Sequence, residues 1–155
     1  MLVQITGSFY PLQSFTKTRK VDFENIPILI DASNKETLEV LQEIASLCSN
    51  KVQELDDEKR RKLHLAAVLV NNFSNHLFAL AKEYTEKQEL DFQLLKPLLQ
   101  ETVLKALEED PKTIQTGPAR RGDLNTIAQH ELMLKDDKIK EIYAWFTKSI
   151  QDFYA

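Results

Sequence analysis

A strip of polar side chains within an apolar stretch of sequence is the first place where this chain could do chemistry. The stretch covers residues 63–81 and is apolar almost all round. At 100° per residue its polar members fall on two adjoining stripes of a helix. One stripe carries His64, Asn71 and Asn75, and the other carries Asn72 and His76. Buried amides and imidazoles need hydrogen-bond partners, so the strip faces either an internal polar network or a cleft that holds a ligand.

A second candidate is the loop of residues 116–123, which is rich in Gly, Pro and Arg. Its Gly-Pro pair predicts a rigid turn, and Asp123 has the position of a helix cap. The guanidinium of Arg121 and the N-terminus of the following helix could together hold a carboxylate or a phosphate, although ordinary connecting loops have the same composition. His130 lies two turns along that helix and could face the same place.

Several classes of site are not expected. Three histidines lie far apart, and the chain has no His-Glu-x-x-His or Cys-x-x-Cys pattern, so we expect no metal. The three glycines, Gly7, Gly117 and Gly122, do not have the spacing of a dinucleotide turn or a P-loop. A net charge of −4 gives no electrostatic footprint for nucleic acid or for an anionic membrane.

Composition also indicates where in the cell the protein is expected and which side chains are expected at its surface. No apolar run approaches the roughly 20 residues that span a bilayer, and no signal peptide is evident, so we expect a soluble cytoplasmic protein without a membrane partner. The single cysteine, Cys48, lies on the apolar side of its helix and is interpreted as a small buried hydrophobe. The basic run of residues 59–62 follows three acidic residues and is interpreted as a solvated helix face.

The elements that must position these residues are mostly helices. Residues 1–32 contain short aromatic and β-branched segments broken by proline, which predicts an extended N-terminal arm too small to form a stable sheet alone. Residues 33–155 are expected to form a helical domain for substrate binding and dimerisation. Its five predicted helices cover residues 34–49, 57–87, 91–108, 123–134 and a last segment from Asp137, with a loop over 110–122. Ser33-Asn34-Lys35-Glu36 is a capping-box signature at the start of the first of them.

The motifs of this chain, taken together, resemble one family over nearly the whole length from Ser8. The chain is similar to the C-terminal part of Rossmann-like proteins that carry the domain of unknown function 2520, described as NADP oxidoreductases of the pyrroline-5-carboxylate reductase and 6-phosphogluconate dehydrogenase type. The motifs that carry the resemblance are Ser8-Phe9-Tyr10-Pro11-Leu12-Gln13-Ser14-Phe15, Val21-Asp22-Phe23, His64-Leu65-Ala66-Ala67-Val68, Asn71-Asn72-Phe73, Asn75-His76, Pro97-Leu98-Leu99-Gln100-Glu101-Thr102, Gln115-Thr116-Gly117-Pro118-Ala119, Arg121-Gly122-Asp123 and His130.

The resemblance implies a fold and a division of labour. The fold is mainly α, a five-helix bundle like the C-terminal domain of 6-phosphogluconate dehydrogenase, with a long central helix and a short β-like N-terminal arm. In the family this domain supplies the wall of the substrate cleft and the dimer interface. The nicotinamide is held by an N-terminal domain, and here Met1 stands just before the segment that resembles the end of that domain. We therefore expect NADP for the full-length family and no cofactor bound by this chain.

The resemblance also nominates site residues. Arg120 is not among them, because the resemblance implies that its position varies in the family. The residues that match family motif positions are His64, Asn71, Glu101, Thr102, Arg121, Asp123 and His130. Three functions compete: the substrate-binding half of an oxidoreductase, completed by a separate Rossmann-domain polypeptide; a non-catalytic helical homodimer or interaction module; and a stand-alone enzyme that needs no dinucleotide. The small-molecule substrate is undefined in each case.

Overall fold

A three-stranded sheet forms the first part of the structure, a computed structural model that describes residues 5–155. The strands are β1 (Gly7–Pro11), β2 (Ile28–Ala32) and β3 (Val52–Glu54), in that spatial order. Strand β1 pairs antiparallel with β2, whereas β2 and β3 are parallel. A parallel pair needs a crossover, and helix α1 (Lys35–Cys48) provides it. The sheet therefore combines residues from both sides of position 32, and its short, polar third strand was not predicted from the sequence.

The buried core of this region is the run at the centre of the sheet. Ile28, Leu29 and Ile30 are almost completely buried, although their side chains alternate between the two faces of the strand. On one face, Ile28 and Ile30 pack with Ala45 of α1. A Cβ added at Gly7 would lie 2.8 Å from a methyl carbon of Leu41, so a glycine allows β1 to approach α1 closely.

One long helix follows the sheet, as the sequence predicted for residues 57–87. It consists of α2 (Asp57–Ala67), a π-helical segment (Val68–Phe73) and α3 (Ser74–Lys87). We expected its apolar middle at the centre of a bundle or across a subunit interface. Within the described chain no residue of this helix is buried, and Leu65 and Val70 are 63% and 75% exposed. The first of these two expectations is therefore wrong for the chain by itself.

The remaining helices agree with the predicted ones within about two residues, apart from a short extra helix and a 3₁₀ turn. Pro97 occupies the first turn of its helix and does not kink it. These elements are the 3₁₀ turn Phe92–Leu95, α4 (Lys96–Glu108), α5 (Pro118–Arg121), α6 (Leu124–Met133) and α7 (Asp137–Phe153). The fold is mainly α, as expected.

Two local predictions need correction. The sequence pattern suggested a capping box that begins at Ser33, but the cap of α1 is Asn34, whose side chain accepts from the backbone N–H of Thr37 at 2.8 Å. The Ser33 hydroxyl accepts instead from the backbone N–H of Thr6. Cys48 is exposed and is not the buried residue that its apolar neighbours suggested.

The chain divides into two compact units, Met1–Leu77 and Phe78–Ala155. The first holds the sheet, α1, α2 and the π-helical segment, and the second holds α4 to α7. Over residues 5–155, no helix is both long enough and apolar enough to cross a bilayer.

Candidate functional site

A depression of about 500 Å³ opens in the first unit between the end of β1, with the loop that follows it, and the long helix. Both walls mix apolar and polar side chains. Its lining consists of Tyr10, Leu12, Gln13, Ser14, Leu63, His64, Ala66, Ala67, Val68, Val70, Asn71 and Asn72. Two of the nominated residues, His64 and Asn71, are therefore brought to one solvent-reachable place, whereas Asn75 and His76 are outside this lining.

The two walls are joined by a bond between Tyr10 on β1 and His64 on α2. The tyrosine hydroxyl lies 2.9 Å from Nδ1 of the imidazole, and the two rings meet edge to face. This contact fixes the imidazole ring and leaves Nε2 as its second polar atom. Tyr10 belongs to one of the motifs that carry the family resemblance, but it was not among the predicted site residues. The two residues are 54 positions apart, so only the packing of strand against helix reveals the pair.

Both asparagines of the depression belong to the π-helical segment. An i→i+5 turn holds more residues than an α-turn, so side chains beyond Val68 depart from the 100° spacing that the sequence pattern assumes. Ser74, at the end of the segment, donates its hydroxyl to the carbonyl of Leu69, five residues earlier. Asn71 and Asn72, which the helical spacing placed on adjoining stripes, both line the depression. Segments of this kind occur frequently at functional sites.

A second, more polar depression of about 350 Å³ lies beside the first strand. There Arg60 donates to the hydroxyl of Ser8 and to the carboxylate of Asp57. The donation from Arg60 lowers the pKa of Asp57 below its usual value. The side chain of Arg60 is only 24% exposed, so the interpretation of this basic residue as part of a solvated face is wrong.

In the second unit, Asp123 caps helix α6 as predicted. Its carboxylate accepts from the backbone N–H of Thr126 at 3.0 Å and from the hydroxyl of Thr126 at 2.7 Å. These two bonds lower the pKa of Asp123, and the charges of Arg121 and His130 act in the same direction. The carboxylate of Asp123 takes the backbone N–H of Thr126 at the start of α6, and an anion site at this loop stays a prediction.

The loop before Asp123 is shaped by its glycines. Gly117 has φ of 104° and Gly122 has φ of 67°, two conformations that side-chain-bearing residues rarely adopt. Between them, residues 118–121 form the short helix α5 in a segment predicted as loop. Arg120 and Arg121 are both exposed, and the guanidinium carbon of Arg120 lies 4.8 Å from the centre of the Tyr154 ring.

His130 forms a second histidine–tyrosine pair. Its Nδ1 lies 2.9 Å from the hydroxyl of Tyr143 on α7, and the rings again meet edge to face. This bond joins α6 to α7 inside the second unit. Tyr143, like Tyr10, carried no signal in the local sequence that singled it out.

Glu101 and Thr102, the nominated pair on α4, bond within their own helix. Glu101 pairs with Lys105 at 3.0 Å, and the Thr102 hydroxyl donates to the carbonyl of Leu98 at 2.8 Å. Such i→i+4 contacts are those of ordinary exposed helix residues. The structure thus gathers the nominated residues into separate local groups, and a single site that contains all seven stays a prediction.

Comparison with known proteins gives the chain its family. A putative NADP oxidoreductase from Bacteroides fragilis has a structure that superposes with a TM-score of 0.93 at 46% identity, over 97% of this chain. A protein from Thermotoga maritima superposes with a TM-score of 0.73 at 24% identity, over 96% of this chain, and shows the fold. The chain spans 58% of the first of these proteins and 61% of the second. None of the curated proteins matches. Residues 26–150 match the domain of unknown function DUF2520, so the chain belongs to the DUF2520 family.

Proposed function

We propose that this chain is the substrate-binding and dimerising half of an NADP-dependent oxidoreductase. Similarity to the Bacteroides fragilis protein supports an oxidoreductase-related domain. The observation that carries the substrate-binding role is the depression in which Tyr10, His64 and Asn71 converge. An imidazole with one nitrogen held by a tyrosine and the other turned to a ligand can orient an oxygen atom or exchange a proton with it.

The residues described here do not fit the pyrophosphate of NADP. A bound pyrophosphate needs glycines that let the backbone approach at the N-terminus of a helix. Gly7 serves the packing of β1 on α1, and Gly117 and Gly122 serve a turn with positive φ. We therefore assign the cofactor to a dinucleotide-binding domain outside residues 5–155, either on the same polypeptide or on a separate one.

The proposed dimerisation follows from the exposed apolar face of the long helix. Leu65, Leu69 and Phe73, none of which lines the depression, are each more than half exposed in the single chain. A contiguous apolar patch of this kind is costly in water and marks an interface, and obligate interfaces commonly bury more than about 2,000 Å². A second copy of the chain would cover this face.

A chimera tests the oxidoreductase role. The part of the Bacteroides fragilis protein that this chain does not match is joined to this chain, and NADPH binding is measured by calorimetry. The chimera should bind with a dissociation constant at or below about 10 μM, equivalent to roughly 7 kcal/mol. The chain by itself should show no binding at that level. Tight binding by the isolated chain would contradict the proposal and favour a stand-alone enzyme.

Light scattering tests the dimer. The chain should have twice its mass of 17.9 kDa at micromolar concentration, and Leu65→Asp should raise the dimer dissociation constant at least about tenfold, a change of 1.4 kcal/mol. Lys17→Gln changes the net charge equally on an exposed loop and should leave the dimer intact. A wild-type monomer at this concentration would overturn the dimerising role.

A non-catalytic helical homodimer or interaction module is the second candidate, because the same apolar face would serve it equally well. The two candidates differ in the chimera experiment. A module predicts a dimer in which the chimera's bound NADPH is never oxidised, whichever carbonyl compound is added.

A further inference from the structure

No carboxylate, ammonium or guanidinium group lines the depression beside Tyr10 and His64. Charged residues make up 28% of the chain. Yet within the described residues, none of those lining this depression is Asp, Glu, Lys or Arg. A carboxylate or phosphate placed there would therefore find no Lys or Arg partner in the lining.

The nearest cations along the helix are already paired. The four basic residues that lie just before Leu63 each reach back to an acid at the start of the same helix. The pairs are Lys59 with Asp56, Arg60 and Arg61 with Asp57, and Lys62 with Glu58. Arg60 is further engaged by Ser8, so it is anchored beside the second depression. The basic run therefore neutralises acidic residues at the start of its own helix, and none of its cations lines the first depression.

The polar groups of the lining suit a neutral oxygen. Tyr10 holds Nδ1 of His64, and no other described residue bonds Nε2, which leaves that nitrogen for a ligand. Asn71 and Asn72 add carboxamides, which donate from nitrogen and accept at oxygen. A hydroxyl or a carbonyl can be satisfied by this set without any net charge.

The remaining lining residues would contact the apolar part of a ligand. Apolar side chains come from both walls, from the loop after β1 and from the helix, namely Leu12, Leu63, Ala66, Ala67, Val68 and Val70. A volume of about 500 Å³ lies within the range of small-molecule sites. The ligand portion that enters therefore combines a small apolar body with a neutral oxygen.

We infer that this depression binds an uncharged alcohol or carbonyl compound, whose oxygen is hydrogen-bonded to Nε2 of His64 and to the asparagine side chains of the π-helical segment. Tyr10 acts as a positioning residue, because it holds the imidazole and does not itself need to touch the ligand. The inference rests on the proposed function and specifies the substrate class of that site.

Three ring compounds of similar shape test the substrate class: cyclohexanol, cyclohexanone and cyclohexanecarboxylate. Each is titrated into the full chain at neutral pH while the nuclear magnetic resonance signals of His64, Asn71 and Asn72 are followed. The alcohol and the ketone should shift these signals with dissociation constants at least fivefold lower than that of the carboxylate. Equal or tighter binding of the carboxylate, or no response of these residues to either neutral probe, overturns the inference.

Two tyrosine variants provide the matched control. Tyr10→Phe removes the hydroxyl that holds His64, and Tyr143→Phe removes the equivalent hydroxyl from the pair with His130. Tyr10→Phe should weaken binding of the ketone at least threefold and alter the imidazole nitrogen signals of His64. Tyr143→Phe should leave both unchanged, and equal effects of the two variants would contradict the positioning role.

A variant of the imidazole separates recognition from folding. His64→Phe should reduce ketone binding at least fivefold while leaving the amide spectrum of the sheet as in the wild type. Retained binding would overturn the contact through Nε2. These outcomes are independent of the chimera: preferred binding of the carboxylate would end this inference but not the proposed oxidoreductase role, and failure of the chimera would leave the preference for neutral probes intact.

Discussion

The two units of this chain differ in how they bury apolar surface. In the first, five hydrophobic residues are buried around the sheet: Ile26, Ile28, Leu29, Ile30 and Ala45. In the second, Ile127 is the one described hydrophobic residue in this class, whereas Leu98, Leu107 and Trp145 are 62%, 78% and 66% exposed. The first unit therefore closes a core with its own residues, whereas the helices of the second leave large apolar side chains exposed in the single chain.

The two histidine–tyrosine pairs extend this contrast. Both have an Nδ1 to hydroxyl distance of 2.9 Å and an edge-to-face ring arrangement. The Tyr10–His64 pair joins a strand to a helix at the wall of a depression, whereas the His130–Tyr143 pair joins two helices. Identical local chemistry thus has a different consequence because of where the elements meet.

The largest expected difference between the two units is in the free energy of unfolding when a large apolar side chain is replaced by alanine. Ile28→Ala removes a fully buried side chain and should lower the free energy of unfolding by about 3 kcal/mol, through lost burial and the cavity left behind. Leu98→Ala, in the second unit, should cost less than about 0.5 kcal/mol in the dilute chain, as for an exposed position. Urea unfolding of both variants measures the difference, and similar losses would mean that the second unit closes a core of its own.

An intermediate effect concerns pH and the cap of α6. The hydrogen bonds from Thr126 lower the pKa of Asp123 in the folded chain. The ionised carboxylate therefore stabilises the fold at pH values above 3.8, the usual pKa of an aspartate. This contribution is lost as the pH falls through the lowered folded pKa. The melting temperature of Asp123→Asn should be a few degrees below that of the wild type at pH 6, and the gap should narrow as the pH falls below 3.8.

Variants of the bonding partner sharpen that test. Thr126→Val removes the hydroxyl that donates to Asp123, whereas Thr126→Ser retains a hydroxyl at the same position. The pH-dependent part of the melting temperature should shrink in the valine variant only. An unchanged pH profile in that variant would show that the Thr126 hydroxyl does not stabilise the carboxylate.

The smallest effects are expected at the two neighbouring arginines. Arg121 is exposed, and no side-chain hydrogen bond of its guanidinium to another described residue is formed. Arg121→Ala should therefore change the free energy of unfolding by less than about 0.5 kcal/mol. Arg120 lies over the Tyr154 ring, and Arg120→Ala should cost about 0.5 to 1 kcal/mol. Thermal melts compare the two, and a loss above about 2 kcal/mol for Arg121 would indicate a buried structural partner.

The sequence by itself determined most of the helices, because each depends on local patterns. Apolar residues at three- and four-residue steps, an aspartate before α6 and the break at residues 110–122 are all read within a few positions along the chain. The family was also evident, since the motif combination is confirmed over residues 26–150. By contrast, β3 has three residues and two of them are polar, so its parallel pairing with β2 has no local signal.

The candidate site was determined only in part by the sequence, and the tertiary structure decided the rest. His64 and Asn71 were nominated from their residue types, but Tyr10 enters because β1 packs beside α2 across 54 positions of chain. Asn71 and Asn72 both line the depression, and the π-helical segment that holds them is not anticipated by a 100° pattern. Arg60 is anchored to Ser8 for the same reason, a contact between distant elements. Periodicity describes one helix at a time, and only the packing of strand on helix fixes which side chains share a surface.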